Sequence, residues 1–241
     1  MFKERFAHSA ALAALVVAIL GVALIATATP AQADIFTFTS CHITGGCPST
    51  GFGTVELTES GTSVVFDVVL LNGNRFVQTG AGAGQLFLFN DSISNSTITG
   101  ITTTLNGATV NVIPGGLSGT TNKDPAFHAD GTGELTAGVH CTVAADCNGG
   151  STPTFTDLHF TVTNATIAQL TVGNTLGNIF VADILCGATQ TGCTAGLTGP
   201  VDVSGTPGVV PEPTTLLLVG TALAGLGGAW RRRRSQRALA V

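Results

Sequence analysis

Short segments in which apolar residues alternate with threonine or a charged residue recur along the chain, each bounded by Gly, Asn or Ser. A two-residue period sends apolar side chains to one face and polar ones to the other, which is the signature of a half-buried strand. Ile35 to Thr39, Thr54 to Glu59, Val64 to Leu71, Gln85 to Phe89, Thr109 to Ile113, Phe155 to Thr163, Ile167 to Val172 and Ile179 to Ile184 form the series. Ser60-Gly61-Thr62 turns the second of these into the next as a hairpin. Such a series predicts an all-β fold, a single β-sandwich of jelly-roll or Ig-like arrangement. Phe66, Phe87, Phe89, Phe160 and Phe180 are the expected core, since the chain has 13 Phe and no Tyr. No strong internal repeat is present, which disfavours a solenoid.

The two ends carry targeting information. Lys3 and Arg5 precede an uncharged apolar stretch, Ala10 to Ala26, and Pro30 then leads into Ala31-Gln32-Ala33, the small-x-small pattern read by signal peptidase. Residues 1–33 are the expected signal peptide, a helix delivered to the general secretion machinery, with cleavage between Ala33 and Asp34. The alternative is an uncleaved anchor. At the other end Thr214 to Trp230 is apolar throughout; as a helix rising 1.5 Å per residue it reaches about 26 Å, close to the hydrocarbon thickness of a membrane. Arg231, Arg232, Arg233, Arg234 and Arg237 follow and form a cytoplasmic stop signal by the positive-inside rule. Immediately before the span stand Val210, Pro211, Glu212 and Pro213, where two prolines hold a single glutamate on extended backbone.

This succession of Pro-Glu-Pro, a modest apolar helix (214–230) and an arginine cluster, over residues 210–237, resembles the PEP-CTERM sorting signal of Gram-negative bacteria. The resemblance implies recognition by an exosortase, a membrane-embedded cysteine transpeptidase. It also implies a transient inner-membrane precursor, followed by placement at the cell surface or in the extracellular matrix, with exopolysaccharide as a further partner. The same tail family carries the label ice-binding protein C-terminal domain, which names the tail and implies no binding of ice. Phrases in the middle, such as Phe180-Val181-Ala182-Asp183-Ile184, are similar to phrases in uncharacterised PEP-CTERM ectodomains and bring no activity with them.

Residues 34–209 are then one expected ectodomain. Its twelve acidic residues face two basic ones, Arg75 and Lys123, a net charge of −10 that excludes a nucleic-acid binder. Six cysteines fall into three near pairs, Cys41 and Cys47, Cys141 and Cys147, and Cys186 and Cys193. In an oxidising compartment they read as three local disulfides, although six cysteines permit other connectivities.

Catalytic signatures fail one by one. Gly116-Leu117-Ser118-Gly119-Thr120 lacks the last glycine of a nucleophile elbow, and Gly80-Ala81-Gly82-Ala83-Gly84 has the wrong register for a dinucleotide fingerprint. No cofactor is implied. Asp124, His128, Asp130 and Glu134 are the best metal candidates, oxygen-rich as Ca²⁺ prefers but without EF-hand spacing. His42 and His140 stand beside cysteines in the manner of zinc ligands, a reading that disulfide formation removes. His159 lies on a strand with no carboxylate partner identifiable in sequence. Thr-x-Thr at 102–104, 154–156 and 161–163 is too irregular for an ice-binding ladder and follows from strand propensity.

The expectation is an exported, non-enzymatic surface or matrix protein sorted through its C-terminal signal. The alternative is a secreted hydrolase or carbohydrate-binding protein whose site is assembled from dispersed residues.

Overall fold

The structure is a computed structural model that describes residues 33–43, 51–105, 108–110, 117–149, 155–205 and 208–209. These residues fall in one compact unit. The expected signal peptide before Ala33 and the expected span 214–230 lie outside the described residues.

The chain is all-β, with every strand pairing antiparallel. The first sheet is built from β1 (Ala33–Thr37), β3 (Gly53–Ser60), β4 (Ser63–Leu70), β7 (Thr97–Leu105), β8 (Ala108–Val110), β13 (Asp157–Thr163) and β16 (Gly208–Val209), in the order β16-β1-β3-β4-β13-β7-β8. The second is built from β2 (Ser40–Cys41), β5 (Arg75–Phe76), β6 (Phe87–Phe89), β9 (Leu117–Thr120), β12 (Ala137–Cys141), β14 (Asn178–Leu185) and β15 (Thr198–Ser204). Its order is β2-β15-β14-β6-β12-β9, with β5 also pairing β14. A separate hairpin joins β10 (Phe127–Ala129) to β11 (Gly133–Leu135).

The expected turn between β3 and β4 is present. Ser60 pairs with Ser63 across Gly61-Thr62, and Gly61 takes φ +64°, a left-handed conformation that costs glycine little.

The alternating residues do the packing. Val55, Leu57, Val64, Phe66, Val68, Leu158, Phe160 and Val162 of the first sheet are buried, as are Phe87, Phe89, Phe180, Ala182 and Ile184 of the second. Phe66 stacks on its cross-strand partner Phe160 at 4.5 Å, and it meets Phe180 of the other sheet edge-on at 5.9 Å. Phe36 of β1 meets Phe180 edge-on at 5.1 Å. Stacked and edge-on rings of this kind add about 0.5–1.5 kcal/mol per pair beyond the area they bury. One aromatic core thus joins the inner faces of both sheets.

The two outer faces differ. On the second sheet, Leu88 and Val181 form a small separate cluster with Ala129 and Leu135 of the β10–β11 hairpin, with Phe127 packed against it. That cover explains why β14 is buried at seven consecutive positions and reads as a continuous rather than an alternating strand. On the first sheet the outward side chains of β3, β4 and β13 are mostly polar, with Val65 and Val69 among them, and all but Asp157 are half-buried or exposed.

One sequence expectation is overturned. Ile167 to Val172 does not form a strand; Ile167–Leu170 is a single helical turn. Gln169 Oε1 accepts from the Thr166 backbone N–H at 3.0 Å, and Glu59 Oε1 accepts from the Ile167 N–H at 3.1 Å, so two donors at the start of the turn are satisfied by side chains. Ile167 and Leu170, three apart and therefore on one side of the turn, are both buried. Capping outweighs the β propensity of Ile, Thr and Val.

Candidate functional site

The strand registers line up rows of outward side chains across the first sheet. One row runs Ile35, Glu56, Asp67, His159, Thr102. The next runs Ala33, Thr58, Val65, Thr161, Thr99. A third sets Thr37, Thr54, Val69 and Asp157 side by side. Thr102, Thr161 and Thr163 of the irregular Thr-x-Thr runs therefore lie on neighbouring strands, and Thr97 and Thr163 contact through their hydroxyls at 2.8 Å.

His159 is the centre of this face. Its Nε2 lies 3.0 Å from Asp157 Oδ2 and its Nδ1 lies 3.2 Å from Asp67 Oδ1. The Nε2 contact is a hydrogen bond, whereas Asp67 Oδ1 lies within ion-pair range only and has no hydrogen-bond partner. The sequence expectation that His159 has no carboxylate partner is thereby corrected. Asp157 is two residues back on the same strand face, and Asp67 stands directly opposite on β4.

Asp157 also stitches β13 to β7. Its Oδ1 accepts from the Thr104 N–H at 2.8 Å and from the Thr103 hydroxyl at 3.1 Å, and its backbone carbonyl accepts from the same hydroxyl at 2.8 Å. Burial alone would raise its pKa, but the hydrogen bonds from Thr104, His159 and Thr103 outweigh burial and hold the carboxyl below its ordinary value. These bonds sit beside a bulge. The register shifts between His159 and Thr161, and Gly100 on β7 takes φ +63°.

A second polar cluster lies on the outer side of β14. Asp183 is 1% exposed, and its Oδ2 accepts from the Thr79 N–H at 2.7 Å and from the Thr79 hydroxyl at 2.6 Å. Burial pushes its pKa up to about 6, with the Asp130 charge adding to the effect and the Thr79 and Gly82 hydrogen bonds opposing it. A Cβ on Gly82 would sit 2.7 Å from Asp183 Cγ, so glycine is required at 82, where the chain passes close over this carboxyl. Asp202 is also buried and holds His42 Nε2 at 2.8 Å.

The other sequence candidates divide. Cys141 is bonded to Cys147 and Cys186 to Cys193, while Cys41 is disulfide-bonded and its expected partner Cys47 lies outside the described residues. His42 and His140 therefore stand beside oxidised cysteines, which are not thiolate ligands. Asp124, His128, Asp130 and Glu134 are exposed, and His128 and Glu134 face each other across the β10–β11 hairpin. Among the described residues no group of three His, Cys, Asp or Glu side chains is arranged to hold a metal ion. Ala33 and Asp34 are the first residues of β1. Ala31, the motif residues Val210, Pro211, Glu212 and Pro213, and Arg231, Arg232, Arg233, Arg234 and Arg237 lie outside the described residues. Among the described residues no helix is long and apolar enough to cross a membrane.

Fold and cystines together define a disulfide-bonded all-β domain of the kind built for an oxidising compartment. Residues 209–234 match the family model described as the PEP-CTERM protein-sorting motif, a match that begins at Val209, the final residue of the last strand among the described residues. The motif implies exosortase-dependent sorting of an exported protein, with a membrane-anchored precursor before cleavage. The comparison with curated proteins finds no match, and neither does the comparison with solved structures.

Proposed function

We propose that the chain is a non-enzymatic protein of the cell surface or extracellular matrix of a Gram-negative bacterium. Signal peptidase removes residues 1–33, an exosortase acts through Val210 to Pro213, and the ectodomain is a β-sandwich that meets exopolysaccharide. The match at residues 209–234 carries this reading. The first sheet's outer face supports it, because rows of hydroxyls with Glu56, Asp67, Asp157 and His159 offer polar groups suited to sugar hydroxyls.

The hydrolase alternative draws less support. A general acid needs a raised pKa and access to substrate, as carboxylate pairs in glycosidases have. Asp157 is buried and held low, and Asp183 is raised but buried. Neither combines the two properties.

Binding of the exported protein to the host's own purified exopolysaccharide tests the proposal, with the same polysaccharide assayed for cleavage. Retention without cleavage, weakened by Thr161→Ala with Thr99→Ala, is the expected result. Cleavage products would establish the hydrolase instead.

A further inference from the structure

The outer face of the first sheet sets two carboxylates directly against each other. Glu56 of β3 and Asp67 of β4 are register partners, so their Cβ atoms stand about 4.5–5.5 Å apart on one side of the sheet. Like charges placed opposite one another weaken a sheet, and a cation set between them removes that cost. Among the described residues, neither lysine nor arginine is on this face: Arg75 belongs to β5 of the second sheet, and Lys123 to the segment between β9 and β10. His159, next in the row, has Asp157 Oδ2 at 3.0 Å on its other side. Asp67 Oδ1 has no hydrogen-bond partner, and 44% of the Asp67 side chain is exposed.

We propose that this face docks a polysaccharide bearing free amino groups, with its ammonium groups seated on the Glu56–Asp67 pair and its hydroxyls on the neighbouring threonines. This rests on the exopolysaccharide reading above and names the chemistry of the polymer. An ammonium donates charge-assisted hydrogen bonds to carboxylates. Thr58 stands two residues from Glu56 and Thr161 two residues from His159, both half-buried on the same face, and a hydroxyl can donate as well as accept.

Two other classes of glycan fit this face less well. An acidic polymer meets the same carboxylates, on a domain of twelve acidic and two basic residues. Among the described residues no group of three His, Cys, Asp or Glu side chains is arranged to hold a metal ion that would bridge the two. A neutral polymer is commonly held by aromatic rings, whose negative faces attract sugar C–H groups. Phe36, Phe66 and Phe160 of this sheet are all buried in the core.

Binding of the exported protein to three polymers tests this: the host's purified exopolysaccharide, the same material with its amines capped by N-acetylation, and soluble polyglucosamine as a defined polyamine probe. The expected result is binding to the first and third that falls as salt rises, and loss of binding on capping. Glu56→Gln with Asp67→Asn is expected to weaken polyglucosamine binding about tenfold, the loss of two partly exposed ion pairs. Asp124→Asn with Glu134→Gln removes two charges from exposed positions outside the first sheet and is expected to leave binding unchanged. Capping alters the polymer and not the protein, so its outcome does not depend on how a variant folds. Undiminished binding of the capped polymer overturns the proposal, as does polyglucosamine binding that the two double variants weaken equally or that neither weakens; the exopolysaccharide reading survives these results. No binding of the untreated exopolysaccharide overturns that reading, and this inference falls with it.

Discussion

Asp183 on β14 takes two hydrogen bonds from Thr79, one from its backbone at 2.7 Å and one from its hydroxyl at 2.6 Å, and so ties the Gly80–Gly84 stretch to the second sheet. The carboxyl is buried, and its pKa rises from 3.8 to about 6 on folding. The folded state then binds the proton more tightly than the unfolded one. Stability from this group is fully present below pH 3.8 and is lost as pH rises through about 6, a change of roughly 3 kcal/mol. Asp183→Asn keeps an acceptor for Thr79 and cannot ionise. Urea unfolding from pH 4 to pH 7 should show a smaller decline for Asp183→Asn than for the unaltered protein; parallel pH curves would contradict the burial argument.

The outer face of the first sheet yields an ordering of effects. His159→Ala removes two partly exposed ion pairs, each worth about 0.2–1 kcal/mol at most. Asp157→Ala removes the one with Asp157 and also leaves the Thr104 N–H without its acceptor, at a cost of about 1–3 kcal/mol, while the Thr103 hydroxyl keeps the backbone carbonyl of residue 157. Denaturant titration should therefore rank Asp157→Ala as the more damaging change. The reverse order would mean that His159, and not the Asp157 stitch, holds β13 to β7.

Core and cystine variants should separate by size. Phe66 touches rings from both sheets, and Phe66→Ala should cost about 3–5 kcal/mol. Replacing Cys141 and Cys147 together by Ala opens a loop closed over a separation of 6, for which chain entropy gives about 2 kcal/mol. Equilibrium unfolding measures both. A cystine loss exceeding the Phe66 loss would show that the cystines hold the sheets together.

Much of this architecture is legible in the sequence, for identifiable reasons. Strands such as β3 and β4 alternate cleanly because one face is core and the other is open. Cys141 and Cys186 find partners within a few residues, so spacing alone points to them. β14 also reads as a strand, although nothing local shows that the distant β10–β11 hairpin covers Val181. Ile167 to Val172 reads as a strand by β propensity, whereas the Thr166 and Gln169 capping pair makes its first four residues a helical turn. His159 was half legible, since Asp157 two residues earlier must share its strand face. Asp67 was not, because it requires the register of β4 against β13. The Gly100 bulge, which sets the meeting of Thr102 with His159, likewise has no signature beyond a glycine in a threonine run.

The central claim is that residues 209–234 direct exosortase-dependent release of the domain, and Glu212 tests it most directly. Glu212→Ala removes the only charge of the Pro-Glu-Pro segment and leaves the apolar run and its arginines unchanged. Immunoblots of membrane and extracellular fractions should be compared for the unaltered chain, for Glu212→Ala and for the unaltered chain in an exosortase-deficient host. The account predicts release in the first case and full-length precursor held in the membrane in the other two; equal release in all three, or release in none, would contradict it.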